Sequence, residues 1–73
     1  MKGEYKEVFL KYLKLSAEGG NVTAQFHLGD TYFKGKLGIE KDETKGKNYL
    51  VLAAQKRHPK AIEMCNKLEI NFN

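Results

Sequence analysis

A stretch of this chain occurs twice. Tyr12-Leu13-Lys14-Leu15-Ser16-Ala17-Glu18 returns as Tyr49-Leu50-Val51-Leu52-Ala53-Ala54-Gln55, and the same shift of 37 residues carries Ala24 onto Ala61. Self-similarity at a period of about 20–50 residues marks repeat architectures. Each unit cannot bury its apolar face alone and stacks on the next. Such stacks present extended surfaces that bind other proteins. The echo therefore points to a binding module and away from an enzyme.

Length sharpens this. A chain of 73 residues is one domain. It buries only about 60% of its unfolded surface, which leaves no room for a deep, dry catalytic cavity beside a core. The expectation is no enzyme activity and no cofactor. The net charge of +4 is mildly basic. Basic patches can attract nucleic acid, but the lysines are spread along every segment. Only Lys56-Arg57-His58 with Lys60 forms a cluster, and a solvated surface is the simpler account. The single cysteine, Cys65, can form no intrachain disulfide and no paired-cysteine zinc motif. No apolar run resembles a signal peptide or a membrane span. The chain as it stands is therefore expected in the cytoplasm.

Four helices follow from the periodicity. The first is expected over 3–18, with Tyr5, Phe9, Tyr12, Leu13, Ser16 and Ala17 on one side at 3.6-residue spacing. Gly19-Gly20 stops it, because glycine readily takes the left-handed conformation past a helix end. Asn21 caps a second helix over 22–34. Asp42 caps a third over 43–56, where its carboxylate suits the free amides and the positive end of the dipole. Its inner stripe is Gly46, Tyr49, Leu50, Ala53 and Ala54. Pro59 opens a fourth helix over 59–70, at a position where its missing N–H costs nothing. Asn71-Phe72-Asn73 reads as a frayed end. Short connections suit antiparallel helix hairpins.

The central residues form the pattern Ala24-x-x-x-Leu28-Gly29-x-x-Tyr32-x-x-Gly35, then Gly38-Ile39-x-x-Asp42, then Lys45-Gly46-x-x-Tyr49-x-x-x-Ala53-Ala54, and Ala61 after a turn. This resembles the Sel-1-like repeat, a relative of the tetratricopeptide repeat. The resemblance implies an all-α chain of four antiparallel helices in a short right-handed α/α solenoid. One full repeat would cover about Asn21 to Arg57, with half-repeats on either side. The family usually has alanine where Gly46 stands, and glycine there should cost the helix about 0.5–1 kcal/mol. In the last helix Cys65, Asn66 and Glu69 stand in the slots of Leu28, Gly29 and Tyr32. That helix therefore looks like a terminal cap.

The second helix is apolar on two sides and so is sandwiched. The first helix, through Phe9 and Tyr12, is expected to cover Phe26 and Phe33. The fourth, with the third, is expected to cover Leu28 and Tyr32, though the pattern alone does not fix this pairing. A polar stripe remains: Thr23, His27, Asp30, Thr31 and Lys34, with Gln25 at its edge. By the resemblance, this helix lines the concave face that holds a partner. The plain alternative is a solvated stripe in which Asp30 and Lys34 form an i,i+4 pair.

Other constellations are weaker. His27 and Asp30 offer two ligands, too few for zinc. Cys65 and His58 lie about 10.5 Å apart along a helix, beyond hydrogen-bond reach. Cys65 falls on a buried stripe, and His58 reads as a capping residue. No glycine run forms a phosphate loop. Glu7–Lys11, Glu43–Lys47 and Glu63–Lys67 read as i,i+4 pairs on solvated faces.

The expected function is protein–protein interaction through the concave face, with another protein as partner and no membrane role. A stand-alone inhibitor or immunity-type regulator of one target is an alternative. A nucleic-acid binder using Lys56, Arg57 and Lys60 ranks third. Self-association through open helix faces is also expected to be possible, since fewer than three repeats are marginal alone.

Overall fold

Local chemistry starts the last three of the four helices where the expected caps stand. The computed structural model describes residues 2–72, with side chains from Tyr5 onward. The helices are α1 (Lys2–Glu18), α2 (Val22–Lys34), α3 (Glu43–Gln55) and α4 (Pro59–Lys67). No strand occurs among the described residues. Asn21 Oδ1 accepts from the Ala24 amide at 2.9 Å, and Asp42 Oδ1 accepts from the Lys45 amide at 3.0 Å. His58 Nδ1 accepts from the Ala61 amide at 3.3 Å, with Pro59 as the first residue of α4.

The echo persists in the turns. At the end of α1, Gly20 is left-handed, the Gly20 amide donates to Ala17 O, and the Asn21 amide donates to Ser16 O. At the end of α3, Arg57 is left-handed, the Arg57 amide donates to Ala54 O, and the His58 amide donates to Ala53 O. Every partner is shifted by 37 positions. Asn21 and His58 each close one helix and cap the next. This paired bonding satisfies carbonyls that a helix end otherwise leaves free.

The core repeats as well. One buried cluster is Leu13, Ala17, Ala24 and Leu28, and the other contains Leu50, Ala54, Ala61 and Cys65 with Ala53. Cys65 takes the place of Leu28. The first cluster joins α1 to α2, with Tyr32, Leu37 and Tyr49 packed on it. The second joins α3 to α4, with Val22, Phe26 and Phe33 of α2 packed on it. The expected neighbours of α2 are thus exchanged. α1 covers Leu28 and Tyr32, whereas α3 and α4 cover Phe26 and Phe33. The small Ala17 and Ala24 let α1 approach α2 on the Leu28 side. The Phe26 ring stacks on His58 at the start of α4, 4.8 Å between centroids. Phe9 and Tyr12 are left exposed, with Tyr5, Val8 and Leu15.

Two glycines set the approach of α2 to α3. A Cβ on Gly29 would stand 2.8 Å from Leu50 Cγ and 2.9 Å from its amide nitrogen. A Cβ on Gly46 would stand 2.6 Å from the Phe33 amide nitrogen. Gly46 therefore serves close packing, which corrects its reading as a simple loss of helix propensity. Tyr32 and Tyr49 stack at 6.1 Å beside this crossing, with the Lys45 ammonium 5.4 Å from the Tyr32 ring centre. The loop from α2 to α3 folds back, the Asp42 amide donating to Tyr32 O at 2.8 Å.

The C-terminal segment departs from expectation. α4 ends at Lys67, short of residue 70, because Glu69 turns left-handed and the Ile70 amide bonds back to Cys65 O at 2.8 Å. This reversal lays Ile70 and Phe72 against the α3/α4 core. Phe72 is packed, not frayed, because a phenyl ring gains more by burial than a free end gains in entropy. Asn73 lies outside the described residues. The chain has no helix long and apolar enough to cross a membrane among the described residues.

Candidate functional site

α2 carries the polar residues of interest, and the 100° turn per residue divides them. Thr23 and His27 are exposed. They lie in a shallow cleft against Phe9 and Tyr12 of α1. Asp30 and Lys34 lie in a different groove, between α2 and α4. The stripe thus borders two clefts and is not a single surface.

Two expected contact residues are not on it. Gln25 is only 5% exposed, because it points to the far side of α2, toward the end of α1. Its Nε2 donates to Ala17 O at 3.1 Å, and its Oε1 is buried without a hydrogen-bond partner among the described residues. Thr31 is also 5% exposed. Its hydroxyl donates back to His27 O at 2.6 Å, satisfying it within the helix. Both residues hold the fold.

Asp30 is the electrostatic centre of the α2/α4 groove. Its side chain is 14% exposed and takes Lys34 Nζ at 3.0 Å and Lys36 Nζ at 2.6 Å. Burial pushes its carboxyl up, but the two ammoniums outweigh this and hold it below the usual aspartate value. The remaining expected surface pairs do not close. Among the described residues Glu7, Glu63 and their i+4 lysines are beyond ion-pair distance, and Glu43 pairs with Lys41 at 3.2 Å in place of Lys47.

The groove is open and holds about 670 Å³. Phe26, Phe33 and Met64 form its floor, with Leu68 at one end. Lys60 and Lys67 edge the α4 side. Sequence reasoning missed this wall, having grouped Lys60 with the turn residues Lys56 and Arg57. The available signal was the i, i+4, i+7 run Lys60–Met64–Lys67, which lines one helix face.

Cys65 and His58 hold structural positions. The Cys65 thiol is fully buried, and burial raises its pKa above the ordinary value. His58 is engaged as a helix cap and a stacking partner. No three His, Cys, Asp or Glu side chains converge on a metal position among the described residues.

Over 67 residues the sequence is 30% identical to the ERAD-associated E3 ubiquitin-protein ligase component HRD3A of Arabidopsis thaliana. The match covers 92% of this chain, which spans about a tenth of the length of that curated relative. No family model matches the sequence, and no solved structure matches it. The described residues are all-helical, and the sequence is distantly similar to a segment of that ubiquitin-ligase component.

Proposed function

We propose that this chain is a non-catalytic protein-interaction module of the Sel-1-like type. In this reading its antiparallel helices form a short right-handed solenoid, and the α2/α4 groove is its concave face. The observation that carries the reading is the groove itself, an apolar floor under a charged rim. Such a rim orients a partner while the floor supplies affinity. The 37-residue recurrence of turns and core supports a repeat unit. The similarity to HRD3A, by its name a component of a larger assembly, supports a role in binding protein.

Photo-crosslinking in the native source tests this. A crosslinking side chain replaces Lys34 or Glu63 in the groove, or Lys14 on α1 as the control. One discrete protein adduct from both groove positions and none from Lys14 is the expected result. The paired reversal Asp30→Lys with Lys34→Asp should weaken the adduct from position 63 without changing helix content. An adduct from Lys14 alone, or one indifferent to the paired reversal, would reject the assignment of the face.

A further inference from the structure

We infer that the α2/α4 groove selects an acidic peptide segment, with carboxylates about 10 Å apart flanking an apolar side chain. The inference rests on the groove being the binding face. It starts from α4, where Lys60 and Lys67 are seven residues and so about 10.5 Å apart, with Met64 between them on the same face. Neither lysine has a carboxylate within ion-pair distance among the described residues. Their charge is therefore available to a ligand.

The opposite wall adds to the same sign. Lys34 and Lys36 share the single carboxylate of Asp30, which leaves that cluster net positive. Glu63 opposes this excess and does not cancel it. A cleft with a net excess of one sign of charge beside low-dielectric walls concentrates ligands of the opposite sign. Between the charges the floor is apolar, with Phe26, Phe33 and Met64 half-buried and able to bury more surface. Carboxylates would meet the lysines, and a leucine or phenylalanine would cover Met64.

This chemistry favours peptide over nucleic acid. A nucleic-acid strand needs an unbroken basic track with free aromatic faces. Here the Asp30 and Glu63 carboxylates interrupt the track, and the Phe26 ring is already stacked on His58.

Fluorescence anisotropy on the full chain tests the inference with four labelled probes of twelve units. The first is a peptide repeating glutamate-leucine-phenylalanine, whose carboxylates stand about 10 Å apart in an extended chain. The second has lysine for glutamate, the third has serine for the apolar residues, and the fourth is a DNA strand. The first should bind saturably and shift the amide resonances of Lys60, Met64 and Lys67. Lys60→Glu with Lys67→Glu should weaken it about tenfold with unchanged circular dichroism, since both side chains are exposed. Losing the apolar residues should weaken it severalfold. Binding of the lysine peptide in preference would overturn the acidic preference while leaving the groove as the face. Tighter binding of DNA, with a steep salt dependence, would overturn it in favour of nucleic acid. If no probe moves the groove resonances, the inference fails, and the crosslinking outcome stands independently.

Discussion

Gly46 of α3 lies against the backbone of Phe33 in α2, so closely that a Cβ would sit 2.6 Å from the Phe33 amide nitrogen and 2.7 Å from its Cα. Two opposing terms meet at this position. Alanine is better than glycine within a helix by about 1 kcal/mol. Forcing a methyl group into a closed backbone contact costs about 1–3 kcal/mol. The second should win, because the obstructing atoms are main-chain and cannot rotate away. Gly46→Ala should therefore lower stability by up to about 2 kcal/mol, seen as a lower urea midpoint. Gly19→Ala is the control: its added Cβ would meet nothing closer than 3.5 Å, so it should be near neutral. A stabilised Gly46→Ala protein would show that α2 and α3 do not cross there.

The repeated turns make a prediction of opposite sign. Gly20 and Arg57 occupy equivalent left-handed positions, with φ of 94° and 70°. A non-glycine residue pays about 1–2 kcal/mol for this conformation, partly repaid by the smaller entropy of its unfolded chain. Arg57→Gly should raise stability by about 0.5–1 kcal/mol, and Gly20→Arg should lower it by a similar amount. Thermal unfolding of the two variants measures both. Equal effects of the same sign would contradict the equivalence of the turns.

How much of this was legible in the sequence depends on the range of each interaction. The caps Asn21 and Asp42 were legible because a cap bonds only three residues ahead. The left-handed Gly20 was legible because glycine tolerates that conformation. Arg57 and Glu69 carried no such mark, and so α4 was read as running on to residue 70. The neighbours of α2 were not legible either. A helical wheel separates the Leu28 side from the Phe26 side but is silent on which helix meets each. Gln25 shows the same limit. Its polarity suggested a surface, yet its side-chain amide donates to Ala17 O at the end of α1. The wall of the groove made by α4 required knowing that α4 lies beside α2.

Asp30 ties the α2/α4 groove to acidity. Its folded pKa lies below the ordinary value of 3.8, because Lys36 and Lys34 outweigh the effect of burial. A depressed folded pKa gives stability that is fully present above the unfolded value. That stability is lost as pH falls through the lower folded value. Asp30→Asn should thus be less stable than the natural chain at neutral pH by about 0.5–1 kcal/mol, given lysines that are half exposed. The gap should close only below about pH 4. Thermal midpoints of both proteins from pH 7 to pH 2 measure this. A gap that widens on acidification would contradict the ion-pair cluster.

Cys65 reports on the whole fold. Its side chain is fully buried in the α3/α4 core, and burial disfavours the reactive thiolate. Alkylation must therefore wait for the core to open. A core of this size supplies at most about 3–5 kcal/mol, which puts the open population at about one part in a hundred to a few thousand. Modification by iodoacetamide at pH 8 should be slower than in 8 M urea by about that ratio. The rate should also rise with each destabilising change elsewhere, so Gly46→Ala should speed it by about tenfold for each 1.4 kcal/mol lost. Arg57→Gly should slow it in the same proportion. A thiol that reacts equally fast in native and unfolded protein would place Cys65 outside the core, and with it the packing of Ala61, Ile70 and Phe72 around it.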